Sequence, residues 1–169
     1  MHITKKIMLS LLFLTVTFEV NASSKDIVIT EIPSSGIIID SPGTYVFGND
    51  IKWSPSADGQ AILIVSKDVI LDLNHYKLTS KTTSFNTTGI VALFSENLMI
   101  KNGTIANMTY RGIDCTACSK IIIAKMTIDG LSVENTAVYT VPVGILVSVS
   151  IDAFIKQCHV KNINVKTGS

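Results

Sequence analysis

A repeated pattern between Gly89 and Val160 constrains the fold of this chain more than any other feature. The dipeptide Gly-Ile occurs at 89–90, again at 112–113, and a third time at 144–145. The spacing between these dipeptides also aligns several short aliphatic and β-branched runs with one another. A period of about 22 residues built from such runs is typical of a solenoid, in which each repeat is one supersecondary unit stacked on the next.

Aligning these coils with a looser copy at 61–80, which has two extra residues near 74–75, predicts columns of equivalent apolar side chains. The predicted inward columns are Ala61, Ile90, Ile113 and Ile145; Leu63, Ala92, Cys115 and Val147; Val65, Phe94, Ala117 and Val149; Val69, Leu98, Ile121 and Ala153; Leu71, Ile100, Ile123 and Ile155; and Leu78, Ile105, Ile128 and Val160. Within each run the members are two residues apart, which is strand spacing. Strands stacked ~4.8 Å apart can bury such columns. The sequence therefore predicts an all-β parallel β-helix of about four coils. A β-sandwich is the alternative, because sandwiches also have short strands at regular spacing.

Residues 1–22 have the features of a secretory signal peptide. Lys5 and Lys6 precede an apolar run at 7–18, and small or modest residues before Ala22 favour cleavage after it. A membrane anchor is the alternative, but the run is far shorter than the ~20 residues that span a bilayer. We therefore expect a secreted protein with no membrane span once residues 1–22 are removed.

Residues 23–60 are predicted to form an irregular N-terminal β cap and linker. The segments 26–30, 36–40 and 44–47 resemble short strands, but they do not align with the later coils. Solenoids need atypical ends, because an open strand edge invites pairing with other chains.

The coils are predicted to occupy residues 61–169, with an uncapped C-terminal end. Gly168 follows Gly144 at the distance of one coil, where the next coil would open. The pattern favours a fragment of a longer β-helix. The alternative is a complete chain that closes its open C-terminal coil by self-association.

Composition excludes several functional classes. Hydrophobic residues make up 47% of the chain and charged residues only 16%, which supports a packed core and argues against disorder. The net charge is +1, and no basic run is interleaved with aromatic residues. Nucleic acid and acidic membrane surfaces are therefore not expected as partners.

Four short stretches resemble the opening part of secreted right-handed parallel β-helix repeat proteins of the pectin-lyase-like superfamily. They are Ser41-Pro42-Gly43-Thr44-Tyr45-Val46, Asp50-Ile51, Asp68-Val69-Ile70-Leu71-Asp72-Leu73-Asn74 and Lys101-Asn102-Gly103-Thr104-Ile105. The resemblance covers nearly all of the expected mature chain. It implies right-handed coiling and a frequent link to polysaccharides, but no single activity, because the superfamily includes lyases, hydrolases, epimerases, adhesins and tailspikes.

The outward positions offer no cluster of acids of the kind that polysaccharide lyases and hydrolases use. Calcium sites and acid-base pairs both need several close carboxylates. One outward row contains Asp72, Lys101, Ala124 and Lys156, which supplies a single acid. Asp152 is predicted at a turn, where Asp is favoured for backbone reasons. We therefore predict no catalytic, cofactor-binding or metal-binding residue.

A few residues are candidates for surface contacts. Tyr110, Arg111 and Asp114 lie close in sequence, Arg111 is the only arginine, and a sugar acid could contact it. His159 is predicted to face outward. Cys115 and Cys118 form a C-x-x-C without a second pair, and the alignment favours a core role for Cys115 over a redox or metal role.

One outward row is apolar throughout, and it is called here the apolar stripe: Ile70, Met99, Ile122 and Phe154. A neighbouring outward row is predicted to contain Ile62, Val91 and Leu146, interrupted by Asp114. An exposed stripe of this kind indicates either a partner or a covering segment. Cover by a loop or the N-terminal cap of the same chain is favoured.

Two functions follow as expectations. The first is a secreted non-catalytic β-helix domain with a surface role, in contact with carbohydrate or similar to an adhesin. The alternative is the N-terminal fragment of a polysaccharide lyase or glycoside hydrolase whose catalytic coils are missing.

Overall fold

Runs of Ile, Val and Thr, which fit a pleated and half-buried surface, form the strands of a parallel β-helix. The computed structural model describes residues 25–135 and 142–167. The strands are β1 (Ile27–Ile29), β2 (Ile37–Ile39), β3 (Gly43–Phe47), β4 (Ile51–Trp53), β5 (Gly59–Ile64), β6 (Val69–Asp72), β7 (Lys77–Ser80), β8 (Thr87–Leu93), β9 (Glu96–Ala106), β10 (Arg111–Thr116), β11 (Ser119–Asp129), β12 (Ser132–Asn135), β13 (Val143–Ser148), β14 (Ile151–Lys156), β15 (His159–Lys161) and β16 (Asn164–Thr167). Every strand pairing in the described ranges is parallel. The predicted all-β parallel β-helix is confirmed.

The strands other than β12 and β16 form three faces around one core, and those two strands pair separately with each other. The first face contains five strands in the order β13-β10-β8-β5-β2. The second face has the order β1-β3-β6-β9-β11-β14, and the third contains β4, β7, β15 and the second halves of β9 and β11. β9 and β11 each continue from the second face to the third through one residue with left-handed backbone, Asn102 or Lys125.

Segment 27–53 contains a complete coil, which corrects the prediction that it lies outside the coil register. β2, β3 and β4 pair in parallel with β5, β6 and β7. The paired residues are 25 apart at Ile37 and Ile62, 26 apart at Gly43 and Val69, and 27 apart at Ile51 and Leu78. Because each face has its own offset, sliding the sequence by one fixed number cannot detect this coil.

Three of the six predicted columns, those that begin at Val69, Leu71 and Leu78, are confirmed in full by the strand register. Ile121 pairs with Leu98 on one side and with Ala153 on the other, and Ile123 pairs in the same way with Ile100 and Ile155. The core of buried residues runs through the stacked coils from Ile29 to Leu131. The two extra residues placed near 74–75 are also confirmed, because Asp72 pairs with Lys101 while Lys77 pairs with Thr104.

The predicted first-face register of the coil at 61–80 is wrong by one residue. Ile62 pairs with Ile90 and is buried, whereas Leu63 pairs with Val91 and faces outward. Ile62 therefore belongs to the core and not to the outward row. The reason is that the following coil has one more residue at the turn between the first and second faces, and a slip of one residue exchanges the two sides of a strand.

The predicted inward column of Val65, Phe94, Ala117 and Val149 is also wrong. Phe94 is 82% exposed and Val149 is 86% exposed. The strands end just before these positions, and Phe94, Ala117 and Val149 have left-handed backbone with φ of 52°, 55° and 51°. The change of backbone direction turns their side chains toward solvent.

The last described coil is less covered than the others. Ile155 belongs to the same column as Ile123, but it is 50% exposed while Ile123 is fully buried. Self-association through this open C-terminal coil stays a prediction. The predicted signal peptide at 1–22 and the glycine at 168 lie outside the described residues. No helix in the described ranges is long and apolar enough to cross a bilayer.

Candidate functional site

The structure brings Tyr110, Arg111 and Asp114 together at the start of β10. The Arg111 Nη1 donates to Asp114 Oδ2, and its Nη2 donates to the Tyr110 hydroxyl at 2.6 Å. The guanidinium carbon lies 4.3 Å from the centre of the Tyr110 ring. Thr116 donates to the other Asp114 oxygen at 2.9 Å. The charge of Arg111 is therefore matched by a buried carboxylate within the same strand.

This arrangement accounts for the exception in the first-face outward row. Asp114 pairs with Val91 and Leu146, and it is buried although its neighbours in the row are apolar. A buried carboxylate needs a partner and hydrogen bonds, which Arg111 and Thr116 supply. The cluster can hold the first face together, whereas an incoming sugar acid would have to compete with Asp114 for Arg111.

The other sequence-predicted surface residues lie on different faces. His159 lies on the third face, where it pairs with Thr127 and is exposed. The apolar stripe forms one row on the second face, because Ile70, Met99, Ile122 and Phe154 are register partners. Phe154 is 65% exposed and the other three are half-buried.

The surroundings of the two cysteines in the C-x-x-C motif fit a structural role. Cys115 is fully buried in the core column between Ala92 and Val147. Burial, together with the neighbouring Cys118 and Asp114, raises the pKa of the Cys115 thiol from 9.0 to about 12. Burial also raises the pKa of Cys118, whose thiol donates to the Ala92 carbonyl oxygen at 3.4 Å. Thiols held neutral in this way are poor nucleophiles and poor metal ligands.

A polar groove of about 570 Å³ lies where the third face meets the loops that lead back to the first. We call it the polar groove, and its lining residues are Lys52, Thr79, Ser80, Lys81, Thr82, Thr83, Asn107, Thr109, Gly130 and Ser132. Its volume lies within the roughly 300–1,000 Å³ typical of small-molecule sites. Lys52 and Thr79 lie side by side because β4 and β7 pair at these residues.

Reciprocal hydrogen bonds between two buried threonines fix one wall of the polar groove. The Thr87 amide donates to Thr109 Oγ1 at 2.7 Å, and the Thr109 amide donates to Thr87 Oγ1 at 2.9 Å. The Thr109 hydroxyl also donates to the carbonyl oxygen of Phe85. These bonds tie the loop that contains Lys81 to the following coil.

The side chains that line the polar groove carry ammonium, hydroxyl and amide groups. Two lysines, five hydroxyl-bearing residues other than Thr109 and one asparagine line it, and there is no Asp, Glu, His or Cys among the lining residues that the structure describes. These residues supply neither the carboxylate pair of a glycoside hydrolase nor the carboxylates of a calcium site. Among the described residues, no group of three or more His, Cys, Asp and Glu side chains could hold a metal ion.

Sequence reasoning missed the polar groove. The polar, threonine-rich segment at 81–88 indicates only an insertion at a turn when it is read from the sequence. The position of Lys52 beside Thr79 depends on the register between β4 and β7, which the alignment of the later coils does not contain. Lys81, which precedes a threonine-rich segment, is the signal that could have pointed to the groove.

Comparisons of the chain with protein-family models, with curated proteins and with solved structures find no match. The fold assignment therefore rests on the strand register, and the function must be argued from the chemistry of the site.

Proposed function

We propose that this chain is a secreted, non-catalytic β-helix domain that binds an anionic polysaccharide in the polar groove. The observation that carries the proposal is the described lining of that groove, which combines ammonium groups with hydroxyl and amide groups and includes no carboxylate. Lys52 and Lys81 are both exposed, and neither forms a salt bridge with any carboxylate whose side chain the structure describes. Two ammonium groups without counter-charges favour a ligand with carboxylate or sulfate groups.

The course of the groove along the solenoid fits an extended polymer. Lys52 belongs to β4, Thr79 to β7, Asn107 follows β9, and Gly130 follows β11. These positions come from four consecutive coils, which at ~4.8 Å per coil span about 14 Å. Solenoids use such surfaces, extended along the stack, to bind elongated ligands.

The sequence resemblance supports the same class of ligand. The stretches at 41–46, 68–74 and 101–105 resemble the pectin-lyase-like superfamily, many of whose members act on or bind polysaccharides. The signal peptide proposed at 1–22 would deliver the domain to a compartment where such polymers are found. Polygalacturonate, a linear chain of sugar acids, is therefore the first ligand to test.

The test is a binding titration of polygalacturonate against the purified chain. The double variant Lys52→Gln, Lys81→Gln should bind roughly tenfold more weakly, since an exposed ion pair contributes up to about 1 kcal/mol and two are removed. Lys67→Gln is the matched control, because Lys67 is exposed but lies outside the groove, and it should bind as the parent does. Unchanged affinity in the double variant would reject the groove as the site.

The same samples distinguish binding from catalysis. We expect no new reducing ends and no unsaturated sugar products after prolonged incubation. Accumulation of either product at a rate proportional to the amount of chain would favour a polysaccharide lyase or glycoside hydrolase instead.

A further inference from the structure

A second depression lies on the second face, far from the polar groove in the coil cross-section. It has a volume of about 230 Å³ and is called here the Ala124 notch; it is lined by Met99, Lys101, Asn102, Ile122, Ala124, Lys125 and Lys156. The side chain of Ala124 explains why the depression exists. Ala124 pairs with Lys101 on one side and with Lys156 on the other, so a short side chain stands between two long ones.

One side of the notch is apolar, whereas its rim is cationic. Met99 and Ile122, two members of the apolar stripe, are register partners and form the apolar side. Lys101, Lys125 and Lys156 supply three ammonium groups, and the lining contains no acid. A depression with an apolar side and a cationic rim suits a ligand that is apolar in one part and anionic in another.

The charge of the rim is only partly matched within the molecule. Lys101 lies 3.3 Å from Asp72, whose carboxylate also accepts hydrogen bonds from Asn102. Lys125 and Lys156 are exposed, and neither has a carboxylate within 4 Å in the described ranges.

Lys125 also has left-handed backbone, with φ of 54°. Asn102 occupies the preceding coil at this position, and asparagine adopts this conformation more readily than lysine does.

We propose that the Ala124 notch binds a small amphiphilic anion, with its alkyl part against Met99 and Ile122 and its carboxylate, sulfate or phosphate group between Lys125 and Lys156. The volume is below that of typical drug-sized sites, which limits the ligand to a short or medium alkyl chain. Such an anion exists both as a free molecule and as part of a lipid.

The surroundings of the stripe favour the free molecule over a bilayer. On the side of the stripe opposite the lysines lie Asp68, Glu96 and Asp152, of which Glu96 is paired with Lys120. Pressing the whole face against an anionic membrane would bring these acids to the same surface, where like charges repel.

The experiment follows octanoate binding by methyl and amide NMR of the chain, with acetate and octyl glucoside as the charge-only and alkyl-only probes. We expect octanoate to shift signals of Ala124, Ile122 and Lys125, and to bind at least tenfold more tightly than either comparison probe. Equal binding of acetate or of octyl glucoside would overturn the proposal, as would octanoate shifts confined to the exposed last coil.

Variants separate the shape of the notch from its charge. Ala124→Leu fills the depression and keeps every lysine, and it should weaken octanoate binding roughly tenfold. Lys125→Gln with Lys156→Gln keeps the shape and should weaken binding by a similar factor. Lys67→Gln is the matched control and should have no effect. Unchanged binding in Ala124→Leu, with an unfolding midpoint like that of the parent, would contradict the assignment.

A further experiment with lipid vesicles distinguishes a free amphiphilic anion from the headgroup of a lipid. Sedimentation with phosphatidylcholine vesicles that contain phosphatidylglycerol should leave the chain in the supernatant. Co-sedimentation that Ala124→Leu abolishes would show that the notch takes lipid, and would overturn the assignment of a free amphiphile.

Discussion

Single residues with left-handed backbone form the corners of the coils, and their side chains differ in how well they suit that conformation. Asn97, Asn102 and Asn107 occupy three such positions with φ between 54° and 57°. Asparagine tolerates this region, whereas a β-branched residue is rarely found there. Val149, at φ 51°, is therefore the least favourable corner residue.

Val149→Asn should stabilise the chain. The side chain is 86% exposed, so the change removes little packing, and relief of the backbone conformation should raise the free energy of unfolding by about 1 kcal/mol. Asn97→Val is the reverse control, and it should destabilise, because it also removes the hydrogen bond from Asn97 to Asp68 at 2.8 Å. Urea unfolding of both variants checks the prediction. A Val149→Asn variant less stable than the parent would contradict it.

The glycines that reveal the repeat are required by close packing between coils. A Cβ on Gly112 would lie 2.5 Å from the Gly144 carbonyl oxygen and 2.6 Å from Ile128 Cγ2. The same column contains Gly89, where a Cβ would lie 2.6 Å from Ile105 Cγ2. The Gly-Ile dipeptide therefore marks a point where the backbone has no room for a side chain between the next coil and the isoleucine across the core.

Gly112→Ala should lower the free energy of unfolding by about 1–3 kcal/mol, the usual cost of overpacking a tight interior. Gly59→Ala is a matched control, because a Cβ there would meet nothing within 4 Å. Its stability should equal or slightly exceed that of the parent. Equal urea midpoints for the two variants would show that the coils do not approach each other as described.

The raised pKa of Cys115 predicts how the chain responds to alkaline pH. The folded thiol keeps its proton up to about pH 12, whereas the unfolded thiol loses it near 9.0. Above pH 9 the folded state therefore binds more protons than the unfolded state, and stability falls as the pH rises from 9 towards 12. Unfolding curves at pH 8 and pH 10.5 should show that the free energy of unfolding falls less between these two pH values in Cys115→Ala than in the parent. An identical loss would contradict the assigned burial.

At the scale of the element, burial of equivalent residues depends on their position in the stack. Ile123 lies in a strand paired on both sides, while Ile155 lies in β14, which has only β11 as a neighbour in the described ranges. Both side chains belong to one column. Two isoleucines of the same column should therefore contribute differently to the free energy of unfolding.

Ile123→Ala should cost about 2–5 kcal/mol of unfolding free energy, whereas Ile155→Ala should cost about half of that or less. The physical reason is that Ile123 is fully buried and Ile155 remains 50% exposed. Thermal or urea unfolding of the two variants under one set of conditions provides the comparison. Similar costs would indicate that the last coil is covered as fully as the others.

The sequence predicted elements well where coils differ only in loop length. A loop insertion between Ile113 and Ile145 leaves the alternation of the flanking strands intact, so the column survives. A single extra residue within a turn is harder to locate, because Phe94 is apolar and extends the hydrophobic run past the end of its strand. Because of that ambiguity, the alignment from the sequence places Ile62 and Leu63 one position away from their observed register.

At the scale of the whole molecule, the candidate site depends on neighbours that are distant in sequence. Lys52 and Gly130 line the same groove although they belong to coils three repeats apart. Sequence columns identify which residues stack, but they do not identify which loops leave space between them. Tyr110, Arg111 and Asp114 show the converse. They lie close in sequence, and the hydrogen-bonding groups of Arg111 are taken up by the other two.

The account rests most heavily on the pairing of carboxylates with Lys52 and Lys81 in the polar groove. Its most direct test compares the affinity of the chain for polygalacturonate with its affinity for the fully methyl-esterified polymer at the same ionic strength. Esterification removes the charge of the carboxylates and keeps the sugar backbone. We therefore predict that the esterified polymer binds at least roughly tenfold more weakly than polygalacturonate. Equal affinity for the two polymers would contradict the account.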